Sequence, residues 1–275
     1  MKIGFSTQNF QKAMPVNVQT ITSFIEYASK EGYQFIELRD NSGDLTADDC
    51  KAVAEVAKKN DISVIYEFQI NPLDSAFLHV FERTLSNTLL LPGPGILRTL
   101  LSKSEFDADS SKKGWTNSEL ARLSRLCDSC AAVAKAKDVQ FIVENYNEPF
   151  FGNKSTYSGL SDFSAATSLT GFQIDIGNMF RNSCREKADP AEVSKYLSTM
   201  GKRWVTSHIK TLQGGESQPV LTDNPLTVEQ AAALMGKQNV QYFAIELFPV
   251  ADKQQCFDNH AKSIQFLKDK GVLKN

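Results

Sequence analysis

Phe141-Ile-Val-Glu144 opens a run of four matching phrases, continued by Phe172-Gln-Ile-Asp175, Thr206-Ser-His208 and Phe243-Ala-Ile-Glu246. Each is a short apolar or β-branched stretch that ends in a group able to bind a metal. Short apolar runs bounded by polar segments read as strands buried on both faces. The endings are 31, 33 and 38 residues apart, and about thirty residues is the length of one strand-helix-strand unit. The four groups therefore come from neighbouring parallel strands and converge at one end of the sheet.

The same alternation runs outward from this segment to both ends of the chain. Strands are predicted at Ile3–Phe5, Phe35–Leu38, Ile62–Tyr66, Ile96–Leu100, Gln140–Glu144, Gln173–Ile176, Trp204–Ile209 and Tyr242–Leu247, with amphipathic stretches between them. Eight such cycles in 275 residues match the roughly 250 residues of a (β/α)8 barrel, so the α/β chain is expected to form a single TIM barrel over residues 1–275. Helix starts fall where the rhythm needs them. Thr116 with Glu119 and Thr227 with Gln230 read as capping boxes, and Asp189-Pro190 as an N-cap followed by proline at the first helical position. The long polar connections Ser102–Trp115 and Leu212–Pro225 follow strands and are expected on the C-terminal rim, as lid candidates. Leu91-Pro-Gly-Pro-Gly95 lacks the Gly-Lys-Ser/Thr ending of a phosphate loop and reads as a turn.

A formal net charge of -2 gives no basic surface for a polyanion, so no nucleic-acid partner is expected. No apolar run approaches the roughly 18 residues of a membrane span, and the first strand starts almost at Met1 with no leader pattern before it, which points to a cytoplasmic enzyme. Five cysteines, Cys50, Cys127, Cys130, Cys184 and Cys256, do not form a disulfide framework. Cys127 and Cys130 fall inside a predicted helix, Ser118–Lys137, with no second ligand pair, and are read as packing residues.

An ionised carboxylate at the end of an apolar strand is partly desolvated and must be paired, protonated or metal-bound. Singly, each strand-end group has an ordinary reading as an ion-pair partner or helix cap; four in consecutive strands point to a metal. Three carboxylates and one imidazole, Glu144, Asp175, His208 and Glu246, make a hard, oxygen-rich set that suits Mn or Mg, with Co or Zn as alternatives.

With these residues in view, the chain resembles the xylose isomerase-like barrels, which include sugar isomerases, ketose 3-epimerases, inosose dehydratases and endonuclease IV. The resemblance is carried by Gly32-Tyr-Gln-Phe-Ile-Glu37-Leu, Val143-Glu144-Asn145, Asp175-Ile-Gly-Asn178, His208-Ile-Lys210 and Ile245-Glu246. It implies one divalent metal on Glu144, Asp175, His208 and Glu246, with Glu144 and Glu246 as the acid/base pair. A metal held by a carbonyl and its neighbouring hydroxyl stabilises the enediolate formed on loss of the α-proton, and return of the proton to the other face epimerises a ketose or keto-polyol. Expulsion of a hydroxyl instead gives a lyase or dehydratase acting on a keto-sugar or keto-inositol, and the ligand set alone leaves both open. A non-catalytic sugar-binding barrel and an endonuclease IV-like nuclease are the remaining readings. The nuclease needs more histidines than the three present. Homo-oligomers are an expectation by analogy.

Further residues are candidates for substrate. Lys210 shares a strand face with His208 by the period of two and is placed to hold a substrate oxygen. Glu37, Tyr66 and Arg98 end or lie in strands two to four and are candidate hydroxyl binders, Glu37 alternatively orienting a neighbour. Asn178 stands where the epimerase pattern often has histidine; it can bond a hydroxyl but cannot shuttle a proton. Asn145 should face away from Glu144 unless the strand has ended, and His79 and His260, on predicted helices, read as surface or packed histidines.

Overall fold

The structure is a computed structural model, and it describes residues 1–101, 116–145, 162–181, 201–213, 216–223, 226–237 and 239–273. Eight parallel strands close into a barrel: β1 (Lys2–Ser6), β2 (Phe35–Arg39), β3 (Ser63–Phe68), β4 (Ile96–Leu100), β5 (Gln140–Glu144), β6 (Gly171–Asp175), β7 (Trp204–Ile209) and β8 (Tyr242–Ile245). Each strand pairs with the next in sequence, and β1 with β8 completes the ring. The chain is thus a (β/α)8 TIM barrel, as the strand rhythm predicts.

Between strands lie α1 (Val18–Glu31), α2 (Ala47–Lys59), α3 (Phe77–Thr88), α4 (Asn117–Lys135), α5 (Ile176–Arg181) and α6 (Val228–Lys237); α7 (Lys253–Asp269) follows β8. Their starts have chemical causes. The capping box of Thr116 and Glu119 forms at α4, and Thr227 and Gln230 exchange the equivalent bonds at 3.0 and 3.1 Å ahead of α6. Asn17 caps α1, which ends at Gly32 in the left-handed conformation, φ 84°, that glycine adopts without steric cost. Asp189-Pro190, Cys184 and the whole connection 102–115 lie outside the described residues. Within the described part of 212–225, Leu212–Gln213 and Glu216–Ser217 form a two-stranded antiparallel ribbon. Cys127 and Cys130 are buried in α4, as packing residues would be.

Outward-facing strand residues pack under the helices in one large apolar core, while Phe35, Ile65, Ile96, Ile142, Tyr242 and Ala244 form a separate cluster. Five of these six share one spacing. Phe35, Ile65, Ile96, Ile142 and Ala244 are each followed two residues later, on the same strand face, by Glu37, Glu67, Arg98, Glu144 and Glu246. The barrel interior is therefore apolar at its N-terminal end and charged above. Gly4 makes room for the lower layer, because a Cβ there would run into Phe35. Strand limits differ from expectation by one residue at each end of β1, at the end of β2 and at the start of β3, and by more in three strands. β3 continues two residues past Tyr66; β6 starts at Gly171 and stops at Asp175, whose carboxylate accepts the Asn178 N–H at 2.8 Å and so begins α5 at Ile176; β8 stops at Ile245.

Candidate metal centre

Glu144 and Asp175 are the last residues of β5 and β6, His208 is one residue from the end of β7, and Glu246 follows β8 directly. All four are buried, and one ligand atom from each lies within 4.8 Å of the others. His208 Nδ1 is the hub: Glu144 Oε1 is 3.2 Å away, Glu246 Oε2 3.3 Å and Asp175 Oδ2 3.5 Å. The imidazole is turned this way from behind. Its Nε2 lies 2.5 Å from Glu37 Oε2, so in the neutral ring that a metal would need, the proton belongs on Nε2 and the Nδ1 lone pair faces the carboxylates, the usual arrangement of a carboxylate-oriented metal-binding histidine.

Asp175 Oδ2 and Glu246 Oε2 are buried and accept no hydrogen bond of ordinary geometry. The Lys210 ammonium stands beside both as an ion pair, 2.7 Å from the aspartate. Its stem passes over Gly177, where any Cβ would collide with it. Three carboxylates against one ammonium leave two negative charges when His208 is neutral. Under-bonded buried oxygens, an aimed imidazole and that residual charge fit a divalent cation bound by hard ligands.

The electrostatics record the same imbalance. Burial opposes charge on every group. On Asp175 it wins, and the carboxyl is raised despite Lys210. On Glu144 the Arg98 guanidinium and His208 overcome it and lower the carboxyl; on Glu246, Lys210 and His208 do so more strongly. Burial pushes the His208 imidazole down, but Glu37, Glu144 and Glu246 carry it well above its ordinary value.

On the opposite side of the mouth, β2 to β4 carry a network of another kind. Arg98 is fully buried and pairs with Glu67 and Glu144, with Glu37 3.6 Å away. Arg39 reaches Glu67 at 3.5 Å and Glu246 at 3.9 Å. Gln173 from β6 joins the two sides: its oxygen, oriented toward Arg98 and His208, is 2.5 and 2.6 Å from them, and its nitrogen is 3.1 Å from Glu37 and 2.6 Å from Thr206.

The structure thus brings Glu144, Asp175, His208, Glu246 and Lys210 to one place, with Glu37 behind the histidine. The other candidates for substrate are buried and already bonded within the protein. Tyr66 donates to Asp40 at 2.6 Å, Arg98 is held by its carboxylates, and Asn178 donates to the Asn145 carbonyl at 3.0 Å. Asn145 lies past the end of β5 and turns its amide onto Asp175. His79 is exposed and His260 buried. Sequence reasoning missed Glu67, Arg39 and Gln173. The signal for Glu67 was present: Ile65 to Glu67 repeats the step from Phe35 to Glu37, but ending the strand at Tyr66 hid it.

No family model matches the chain, and no curated protein matches it in sequence. Solved structures match its fold. A D-allulose 3-epimerase from Methylomonas sp., in complex with D-allulose, superposes with a TM-score of 0.71 at 13% identity, covering 98% of this chain and 96% of that one. A sugar phosphate isomerase/epimerase from Parabacteroides distasonis gives 0.74 at 12%, covering 99% and 97%. A xylose isomerase-like TIM barrel protein from Mycobacterium smegmatis in complex with magnesium gives 0.70 at 12%, covering 99% and 98%. At such identities the likeness is one of fold, and over essentially its whole length this chain has the fold of the xylose isomerase-like TIM barrels.

Proposed function

We propose that the protein is a divalent-metal-dependent sugar isomerase or epimerase, acting on a ketose or related keto-polyol, with Glu144 and Glu246 as the acid/base pair and Mn or Mg as the metal. The observation that carries this reading is the convergence of four buried ligands, within 4.8 Å of one another, at the C-terminal ends of four consecutive strands. The sugar epimerase and the magnesium-bound barrel among the structures of like fold agree with it.

A bound divalent ion would draw electron density from a substrate carbonyl and ease loss of the neighbouring proton. The protein's own groups supply the rest. Glu144 ends β5 and Glu246 follows β8, so the two carboxylates enter the site from either side of β6 and β7. Opposing cations lower both carboxyls, so both are ionised at neutral pH, as a general base must be. Lys210, whose ammonium is kept charged by Asp175 and Glu246 despite burial, serves as a fixed positive charge for a substrate oxygen and not as a proton donor. In this reading Glu37 orients His208 and Arg98 holds Glu144. Tyr66 steadies Asp40, and Asn178 ties the loop after β5 to α5.

Elemental analysis after exhaustive dialysis should find one divalent ion per chain. Proton NMR of the loaded protein in deuterated buffer, with a panel of ketoses and keto-inositols, should show deuterium entering beside the carbonyl with the carbon skeleton retained. A new enone or deoxy-keto signal would move the assignment to a lyase. Protein that retains no metal and exchanges no proton would refute it.

A further inference from the structure

Asn9 lies in the short 3-10 turn Thr7–Phe10, where the chain leaves β1, and it is buried. β1 pairs with β8 only as far as Phe5 opposite Ile245. Beyond that point the Ile245 carbonyl and the Leu247 N–H, which bracket Glu246, have lost their strand partner, and buried backbone groups left unbonded are costly. Asn9 replaces the missing strand. Its Nδ2 donates to the Ile245 carbonyl at 3.0 Å, and its Oδ1 accepts from the Leu247 N–H at 2.8 Å. An asparagine side chain is the same amide as a peptide unit, so it extends the ladder by one rung. On the other edge, the Glu246 N–H donates to Ile209 of β7 at 2.9 Å.

Asn9 is itself held. Its second N–H meets His260 Nε2 at 2.9 Å, and His260 Nδ1 is 3.2 Å from the Tyr33 hydroxyl. Since Asn9 Nδ2 can only donate, His260 Nε2 accepts and the ring proton sits on Nδ1. Phe10 stacks on the ring and Phe5 meets it edge-on, and burial keeps it neutral by pressing its pKa down to about 3. Every donor and acceptor of the Asn9 amide is thereby committed, and it cannot turn over. The device recurs at another ligand: Asn145 accepts from the N–H of Asp175 at 2.7 Å and donates to its carbonyl at 3.0 Å, again where the adjacent strand has run out.

We infer that Asn9, locked by His260 and Tyr33, is a positioning residue that sets the Glu246 carboxylate for metal binding. The inference rests on the metal reading above and adds what fixes one of the ligands. The test is Mn2+ affinity of the metal-stripped full-length protein, by calorimetry, together with the electron paramagnetic resonance line shape of the bound ion and amide exchange at Leu247. Asn9→Ala should weaken Mn2+ by about tenfold or more, the range for loss of a group that orients a ligand, broaden the resonance and speed exchange at Leu247. Ser263→Ala, which removes a buried hydrogen bond to Leu221 from the same helix as His260, should lower stability without changing affinity or line shape. If Asn9→Ala does not fold, His260→Phe, which keeps a ring but offers no acceptor, decides with the same readouts. Affinity and line shape unchanged from wild type, or changed no more than in Ser263→Ala, would overturn the inference while leaving the metal reading intact. Failure of the wild type to bind Mn2+ would remove both.

Discussion

The two sides of the barrel mouth are built from similar charged groups to different ends. On the β2–β4 side, Glu37 and Glu67 are set against Arg39 and Arg98, and opposite charges roughly cancel. On the β5–β8 side, Glu144, Asp175 and Glu246 face one ammonium, Lys210, and an imidazole. The first arrangement is complete within the protein and stiffens it. The second is short of positive charge and is made so by the fold, which turns the histidine's lone pair inward through Glu37. A buried carboxylate is thus no sign of a ligand by itself; what distinguishes the ligand side is the charge left over when the protein's own cations are counted.

If that distinction is right, the sides should fail differently. The largest effect is expected from Arg98→Met, which leaves Glu67 and Glu144 buried without their guanidinium. Loss of one partner of a buried pair costs about 3–5 kcal/mol, read as the fall in unfolding free energy in urea. A loss under about 1 kcal/mol, the range of an exposed pair, would mean that the network is not the scaffold described.

Asp175→Asn should act in the opposite sense. Burial raises this carboxyl, so its ionised form is the strained one. The metal-free variant is expected to be at least as stable as wild type, while Mn2+ affinity falls by more than the roughly 10- to 100-fold that outer partners of ligands are worth. Equal Mn2+ binding by the variant would place the ion elsewhere.

Metal uptake should also move a proton. His208 is held well above its ordinary 6.5 by three carboxylates, so metal-free protein carries that proton at neutral pH. The stability it contributes is complete below pH 6.5 and is lost as pH rises through the folded value. A ligand histidine must be neutral, so Mn2+ binding at pH 7 should release about one proton, measured as the dependence of the binding enthalpy on buffer ionisation enthalpy. Affinity should fall with pH; no release would mean that the histidine does not bind the ion.

The smallest effect concerns His260, which lies outside both sets. Its pKa drops from an ordinary 6.5 to about 3 in the folded protein, so the native state binds fewer protons than the unfolded one between those values. Its contribution is present above pH 6.5 and is lost as pH falls toward 3. Between pH 6 and 5, where carboxylates titrate little, this histidine should cost about 1 kcal/mol of stability. His260→Gln should flatten that part of the profile, and an unchanged slope would show that the ring is not held neutral.

Much of this was legible in the sequence because a barrel repeats. The eight strands show as apolar runs, and the four clustered residues of the candidate centre as polar endings at intervals of one strand-helix unit. The stabilising side was less legible. Glu67 and Arg39 gain meaning only from the register that places Arg39 opposite Glu67 and Glu67 opposite Arg98, and register is a property of closure, not of any one strand. The placement of Tyr66, Arg98 and Asn178 shows the same limit. Sequence identifies polar side chains on strands but not whether another part of the chain already uses them. Asn9 and His260, 251 residues apart, carry no local pattern that would pair them.

That separation bears on when the centre becomes able to hold an ion. Asn9 is made before any of the four candidate ligands and His260 after all of them, so on the inference above Glu246 is set only when both are folded against it. A growing chain would therefore display Glu144, Asp175 and His208 before the fourth candidate ligand is set, and on the proposed function tight capture of a cation would wait until the ring has shut.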